Sequence, residues 1–235
     1  MDGPFRHFAN RREAGRELAA RLVQYRGQQV IVLALPRGGI PVAYEIAKAL
    51  EAPLDLLMVR KIGAPQQPEL GIGAVVDGKN PQLVLNDDLV QRLGVRPEYI
   101  RSEQERQLTE IERRRQLYRG DRVVLDVDGQ IAIVVDDGIA TGATVKAALL
   151  GLARSKPARI VLAVPVASPE SLEELAPLAD EVHCLLAPDG FNAVGAYYVD
   201  FAQTTDEEVI DLLAHTRQNA LTAPGALEAQ PERES

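Results

Sequence analysis

The chain has 235 residues, of which 46% are hydrophobic and 26% are charged, and its formal net charge is −8. This composition is typical of a globular protein with apolar residues for one large core or two small ones. The longest apolar runs, such as 30–35 and 131–135, fall far short of the roughly 20 residues of a membrane span, and the start lacks a signal-peptide segment. We therefore expect a cytoplasmic protein that does not enter a membrane.

Cysteine and histidine are sparse. Cys184 is the single cysteine, which excludes an intrachain disulfide, and His7, His183 and His215 are scattered along the chain. No Cys/His set with metal-ligand spacing is present, so structural zinc is excluded. The excess of acidic residues also argues against non-specific binding to nucleic acid. A local basic patch can still exist within a protein that is acidic as a whole.

Segments of β-branched and aliphatic residues alternate with helical segments, which is the order of parallel strands joined by helical crossovers. The first predicted helix is capped by Asn10, with Glu13 at capping-box spacing, and it is expected to pack on the sheet or on a hood. The elements predicted in the first half are helix 10–26, strand 29–35, helix 41–50, strand 54–59, and shorter strands at 71–76 and 82–85.

The second half opens with a charge-rich helix at 97–118, which is predicted to be an insertion because it lacks the pattern of a core element. An Asp-Gly turn at 126–129 is predicted to join strands 122–125 and 130–135 as a hairpin. The elements predicted after it are helix 144–154, strand 159–164, a helix after Ser168 and Pro169, strand 181–186 and helix 206–217. The fold class is therefore α/β, with a parallel sheet flanked by helices.

The segment IVVDDGIATGAT at 133–144 carries two carboxylates at a strand end, followed by a loop of small residues and a helix. The backbone N–H groups of the loop, the hydroxyls of Thr141 and Thr144 and the positive end of the helix together suit one phosphate group. Asp136 and Asp137 would repel that phosphate unless they face something neutral or cationic, such as a ribose diol or Mg²⁺. A sugar phosphate meets both requirements.

This segment resembles the phosphoribosyl-pyrophosphate (PRPP) signature of the type I phosphoribosyltransferases. The resemblance implies that Asp136 and Asp137 hold the ribose 2′- and 3′-hydroxyls and contact Mg²⁺ through these hydroxyls or water. It also implies that the loop at 138–144, called here the phosphate loop, binds the 5′-phosphate. Its PRPP-binding residues would be Gly138, Ala140, Thr141, Gly142, Ala143 and Thr144.

A second segment, ALPRGGIPVA at 34–43, follows the first predicted strand and resembles the pyrophosphate loop of the same family, so it is called the pyrophosphate loop here. Arg37, Gly38 and Gly39 would bind the leaving group through a basic side chain and backbone N–H groups; the alternative is an ordinary glycine-rich turn. Arg60 and Lys61 follow the second predicted strand, so we expect them at the same carboxyl edge of the parallel sheet. Lys61 is chosen as the catalytic candidate because related enzymes often place a basic residue there, and the alternative is a solvated strand end.

The resemblance covers about 28–187 and implies a single domain over 1–219. A helical insertion is expected at about 86–120, and a hood formed by the N-terminal helix and about 187–219. Residues 220–235 are rich in Pro, Glu and Ala, and they are predicted to form a flexible tail.

Four of the ten aromatic residues lie within eleven positions of the hood: Phe191, Tyr197, Tyr198 and Phe201. They suit either a small core or a platform on which an acceptor base stacks. Phe191 follows a Pro-Asp-Gly turn and is our candidate for base binding. Ala140 stands where several purine-salvage relatives have an acid, which disfavours an acid-assisted 6-oxopurine mechanism and leaves the adenine type open.

Two weaker sequence patterns suggest other functions. The segment VVLDVDGQI at 123–131 resembles the start of haloacid-dehalogenase-type phosphatases, but Gln130 departs from that pattern and an Asp-Gly turn explains the segment. The run ERRRQLYRG at 112–120 suits RNA binding, closure of a flap over pyrophosphate, a solvated helix or a dimer contact.

The resemblance thus implies a Mg²⁺-dependent enzyme, expected to be a homo-oligomer, that transfers the phosphoribosyl group of PRPP to a nitrogen acceptor and releases pyrophosphate. A different class of protein uses the same pocket without catalysis, as a regulator that senses PRPP or a nucleotide. The complete pyrophosphate loop and Lys61 favour the enzyme. The unfamiliar hood and the arginine-rich insertion keep the regulator as the alternative.

Overall fold

The computed structural model describes residues 7–120 and 124–222, with side chains as far as 216. The strands are β1 (Val30–Ala34), β2 (Leu54–Leu56), β3 (Val59–Ala64), β4 (Gln67–Val76), β5 (Gln82–Leu85), β6 (Ile131–Val135), β7 (Arg159–Val166) and β8 (Glu181–Leu186). The helices are α1 (Arg11–Ala20), α2 (Gly39–Leu50), α3 (Asp87–Arg92), α4 (Pro97–Arg119), α5 (Ala143–Ala153), α6 (Pro169–Leu175) and α7 (Asp206–Thr222). Within these ranges, no helix has the length and apolar character to cross a membrane.

Five strands form a parallel sheet in the order β2-β1-β6-β7-β8. Its central strands are buried on both faces, as is usual for parallel sheets covered by helices. Val32 and Ile133 pack with α1 and α2 on one face, while Leu33 and Val134 pack with α5 on the other. The predicted α/β class, a parallel sheet flanked by helices, is confirmed.

A smaller antiparallel sheet of β3, β4 and β5 lies beside the parallel one and contacts α4 and α5. The single strand predicted at 54–59 is therefore wrong, because the chain leaves the parallel sheet after β2. Leu57 still donates to Ala34 C=O at 2.9 Å, but Met58 C=O already accepts from Asp77 N–H at 2.8 Å. These two bonds mark where pairing passes from one sheet to the other.

The hairpin predicted before β6 is also wrong for Val124 and Leu125, which are in no strand. Leu125 N–H instead donates to the buried Asp55 carboxylate at 3.2 Å, while residues 121–123 lie outside the described ranges. The Asp-Gly turn itself is present, since Gly129 has a φ of 69° and Gln130 N–H donates to Val127 C=O at 3.1 Å. The tail predicted at 220–235 lies outside the described residues, except where α7 continues to Thr222.

Three helix starts carry the predicted caps. Asn10 accepts a hydrogen bond from Glu13 N–H at 3.0 Å, and Ser168 and Thr205 make the same contact three residues ahead, each at 3.2 Å. The helix predicted at 10–26 is shorter than expected, because α1 ends at Ala20 and only a short 3₁₀ turn, Val23–Tyr25, follows.

Candidate active site

The two loops that sequence analysis singled out lie side by side at the carboxyl edge of the parallel sheet. β1 and β6 are neighbours, with Ala34 opposite Val135, and Leu35 N–H donates to Val135 C=O at 2.9 Å. The pyrophosphate loop therefore leaves β1 next to the point where Asp136 and Asp137 leave β6. This edge is where parallel α/β sheets usually bind their ligands.

Glycines make this close approach possible. A Cβ at Gly39 would lie 2.6 Å from Val135 O and 3.0 Å from Asp136 Cα, and a Cβ at Gly38 would overlap the Asp137 carboxylate. A side chain at Gly39 would push the two loops apart, and one at Gly38 would displace the Asp137 carboxylate. The structure thus brings the glycines of the pyrophosphate loop into contact with both aspartates.

The two aspartates share one small, half-buried space. Asp136 Oδ1 accepts from Asp137 N–H at 2.9 Å. Burial, followed by the negative charge of Asp137, raises the pKa of Asp136 well above its usual range, and the positive charge of Arg11 opposes this shift. A cation or a hydrogen-bond donor beside this pair would therefore be stabilised.

Arg11 supplies a positive charge that sequence analysis missed. It is the first residue of α1, and its Nε donates to Asp137 Oδ2 at 2.7 Å. The two residues are 126 positions apart, and nothing in the local pattern around Arg11 distinguishes it from the other arginines of α1. Only its position in the folded chain reveals the contact.

The phosphate loop is an extended segment followed by a helix start. Ile139 pairs with Ala167, and the loop then turns at Gly142, whose φ is 68°, directly before α5. The first N–H groups of a helix have no intrahelical partner, so the start of α5 offers donors to an anion. Thr141 and Ala143 are exposed there, and Thr144 is partly exposed.

Two serines hold this loop from the side of β7. Ser168 Oγ and Ser171 Oγ both donate to Ala140 C=O, at 3.1 and 2.9 Å. Sequence analysis identified Ser168 as a helix cap and missed this second contact. From the hood, Val194 packs so closely on Gly138 that a Cβ there would overlap it.

Arg37 lies between two parts of the chain that sequence analysis left unconnected. Its Nη1 is 3.4 Å from Asp206 Oδ1 at the start of α7, and Tyr118 OH from the end of α4 donates to the same oxygen at 2.5 Å. Burial and this hydrogen bond raise the pKa of Tyr118 to about 12. The insertion and the hood thus meet at the pyrophosphate loop.

Lys61 does not lie where it was expected. It is an exposed residue within β3, opposite Ala74, and not at the carboxyl edge of the parallel sheet. The reason is the transition after β2, which places 59–64 in the smaller sheet. Lys61 still lines a cavity of about 760 Å³ together with Thr141 and Ala143, so it faces the phosphate loop from the side of the smaller sheet.

The aromatic residues of the hood divide into two groups. Tyr197 and Tyr198 are buried and pack with Phe8, which is the small core that we considered. Phe191 is partly exposed, stacks on Tyr197 with ring centroids 5.5 Å apart, and lines a cavity of about 440 Å³ beside Ala140 and Thr141. Phe191 is therefore the ring that borders the phosphate loop.

The arginines at the end of α4 bind within the protein. Arg115 pairs with Asp77 and Arg119 with Asp55, while Arg113 and Arg114 both donate to Glu110. The pairs of Arg115 and Arg119 fix the helix to Asp77, directly after β4, and to Asp55 in β2, while Glu110 belongs to α4 itself. For Arg115 and Arg119, these pairs favour an anchoring role over RNA binding or closure on a ligand.

The fold and this arrangement define an α/β protein whose candidate site lies at the carboxyl edge of its parallel sheet, between β1, β6 and a hood. The family model of the phosphoribosyl transferase domain matches residues 8–202, and the chain belongs to this family.

Relatives agree with this assignment. The chain is 47% identical over 223 residues to two proteins of Mycobacterium tuberculosis, from strains CDC 1551 / Oshkosh and ATCC 25618 / H37Rv, named "Putative phosphoribosyl transferase" MT0597 and Rv0571c. The match covers 94% of this chain and 49% of each relative, so the chain spans about half the length of these proteins. The crystal structure of TT1426 from Thermus thermophilus has a TM-score of 0.78 and 43% identity, and the match covers 89% of this chain and 98% of that one.

Proposed function

We propose that this protein transfers the 5-phosphoribosyl group of PRPP to a nitrogen acceptor, such as a nucleobase, and releases pyrophosphate. The observation that carries the proposal is the contact between the two loops, in which Gly38 and Gly39 lie against Asp137 and Asp136. A ligand at this edge meets the Arg37 guanidinium and the backbone N–H groups of its loop on one side. On the other side it meets the carboxylates of Asp136 and Asp137. PRPP needs this combination, because its two phosphorylated positions flank a neutral diol.

In this proposal each part of PRPP has its own partner. The 5′-phosphate is bound by the start of α5 and the hydroxyls of Thr141 and Thr144. The ribose hydroxyls donate to Asp136 and Asp137. The pyrophosphate is bound by Arg37 and the backbone of the loop that contains it.

The carboxylate pair also fits Mg²⁺. Burial, followed by the negative charge of Asp137, raises the pKa of Asp136, so a cation beside the pair would stabilise its ionised form. In this proposal the ion is held mainly through substrate oxygens and water. When bound, Mg²⁺ would supply positive charge to the pyrophosphate oxygens. Asp136 and Asp137 are the residues that would hold it.

Charge placement accounts for most of the proposed catalysis. As the bond to pyrophosphate breaks, negative charge grows on the leaving group and positive charge grows on the ribose. Arg37 stabilises the first, and the two carboxylates stabilise the second. At an effective dielectric of about 20, one unit charge at about 4 Å contributes about 4 kcal/mol, an upper guide of roughly three orders of magnitude in rate.

The acceptor is proposed to bind in the cavity of about 440 Å³ beside Phe191. The Phe191 ring is partly exposed and stacks on Tyr197, which suits stacking of a planar base. Ala140 stands in the phosphate loop where several purine-salvage relatives have an acid, which disfavours an acid-assisted 6-oxopurine mechanism.

Calorimetry with PRPP and Mg²⁺ tests the proposal. Asp136→Asn combined with Asp137→Asn is expected to abolish binding. Asp126→Asn with Asp128→Asn is the matched control, because it also removes two negative charges, but from the exposed turn at the amino end of β6. This control is expected to leave PRPP binding unchanged. PRPP binding by the site variant with wild-type affinity would contradict the ribose assignment.

Pyrophosphate release across a panel of bases and amines separates an enzyme from a sensor. Release with at least one acceptor is expected. Tight PRPP binding without release for any acceptor would instead support the regulator.

A further inference from the structure

The Arg11 side chain connects the hood to the aspartate pair. Its Nε donates to Asp137 Oδ2 at 2.7 Å, its Nη1 donates to Ala202 C=O at 2.7 Å, and its Cζ lies 3.9 Å from the centroid of the Phe201 ring. The ion pair is largely buried, with side chains 11% and 14% exposed. A surface arginine does not have such a fixed environment.

Asp137 is held on several sides. Tyr198 OH donates to its backbone C=O at 2.6 Å, and its carboxylate lies against Gly38. Because Arg11 engages Oδ2, rotation of the carboxylate is restricted, and Oδ1 stays able to accept a hydrogen bond from a hydroxyl group. The orientation of Asp137 is therefore set by residues of the hood.

We propose that Arg11 is a positioning residue that orients the Asp137 carboxylate to accept a hydrogen bond from the ribose diol. This inference rests on the proposed function, since it assigns the diol to Asp137. Arg11 lies at the start of α1, while Phe201 and Ala202 precede α7, so both ends of the hood are tied to the site through this one side chain. The packing of the hood on the site therefore also sets the orientation of the Asp137 carboxylate.

Arg12 offers a matched control on the same helix. Its Nε donates to Glu45 Oε1 at 2.6 Å, and its Cζ lies 4.8 Å from the Tyr44 ring. It thus makes an ion pair and a cation–π contact of the same kind, but it ties α1 to α2 and does not contact either loop of the site. Loss of Arg12 reports the structural effect of removing an arginine from α1.

The test compares the binding of ribose 5-phosphate and 2-deoxyribose 5-phosphate by calorimetry in wild type, Arg11→Gln, Arg11→Lys and Arg12→Gln. Wild type is expected to prefer the sugar that has both hydroxyls. Arg11→Gln is expected to reduce this preference about tenfold, because a charged hydrogen bond to Asp137 is lost. Arg11→Lys, which keeps the charge, is expected to restore part of it, and Arg12→Gln is expected to retain all of it.

Each other outcome has a distinct meaning. If Arg11→Gln weakened both sugars equally, Arg11 would only support the hood, and the inference would be overturned while the proposed function stood. If wild type itself showed no preference, the diol assignment and the inference would both be wrong. If Arg11→Gln fails to fold, Arg11→Met replaces it, because methionine keeps an apolar stem over Phe201. The preference between the two sugars is then compared with wild type in the same way.

Discussion

Single residues at the site determine how closely the pyrophosphate loop approaches the two aspartates. Gly39 is the clearest case, because the atoms that an added Cβ would meet at 2.6 and 3.0 Å are backbone atoms of β6 and of Asp136, which cannot move aside as a flexible side chain does. Gly38 faces the carboxylate of Asp137 instead. The spacing between the two loops is therefore set by the absence of side chains at these positions.

Gly39→Ala is expected to lower the free energy of unfolding by about 1–3 kcal/mol, because the added methyl group overpacks the contact between the loops. It is also expected to weaken PRPP binding, since Arg37 and Asp136 would be moved apart. Urea unfolding and calorimetry measure the two effects. Gly71→Ala is the control, because a Cβ there has no neighbour within 4 Å and its φ is not positive. A Gly39→Ala protein with wild-type stability and affinity would show that the loops are not in close contact.

The residues that sequence analysis identified at the site are those whose neighbours in the fold are also neighbours in the chain. Asp136, Asp137 and the phosphate loop form one contiguous segment, so their chemistry is visible as a pattern. Arg11 and Ser171 act on that segment from other elements, and their partners are 126 and 31 positions away. A contact of that kind has no sequence spacing that predicts it.

At the scale of elements, helix α4 is fixed by buried charges as well as by the buried side chains of Ile100, Ile111 and Tyr118. The Arg119 side chain is 2% exposed, and its Nε lies 2.6 Å from Asp55 Oδ1. Arg115 pairs with Asp77, whose carboxylate is also buried. Each of these acids depends on an arginine of α4 for its charge compensation, so the helix and the two sheets are coupled.

Arg119→Met is expected to lower the free energy of unfolding by about 3–5 kcal/mol, because it leaves Asp55 buried without its counter-charge. Arg113→Met on the same helix is the control. Arg113 is exposed and pairs with Glu110 three residues earlier, a contact worth about 0–1 kcal/mol. Urea denaturation of both variants gives the comparison. Equal effects of the two substitutions would mean that the Asp55 pair is not buried in solution.

Element predictions failed where pairing partners lie far apart in the chain. The alternation of strands and helices predicted the parallel sheet, because its three central strands, β1, β6 and β7, are compact and largely apolar runs. The break at Leu57 and Met58 depends on Ala34 and Asp77, and the irregular path of Leu125 depends on Asp55. Local propensity contains no information on these partners. The sequence therefore did not show that the chain leaves the parallel sheet before Lys61, and Lys61 was expected at the edge of the wrong sheet.

At the scale of the whole molecule, the charge is distributed so that the basic run in α4 is neutralised internally. The net charge is −8, and the exposed arginines Arg101, Arg106 and Arg113 each pair with a glutamate three residues earlier. Their surface field is correspondingly weak. The sequence showed the run of arginines, but only the fold shows that two of them, Arg115 and Arg119, point inward.

Non-specific RNA binding depends on cations that are free to displace counterions from phosphates. With the arginines of α4 paired and an acidic surface overall, the protein is expected to bind a single-stranded RNA of about 20 nucleotides with a Kd weaker than about 10⁻⁴ M at physiological salt, the upper limit of typical non-specific binding. Fluorescence anisotropy at several salt concentrations measures this. Micromolar binding that falls steeply with salt, and that Arg113→Gln with Arg114→Gln removes, would show that this helix does form a nucleic-acid surface. That result would favour the regulatory alternative, because a phosphoribosyltransferase has no need of such a surface.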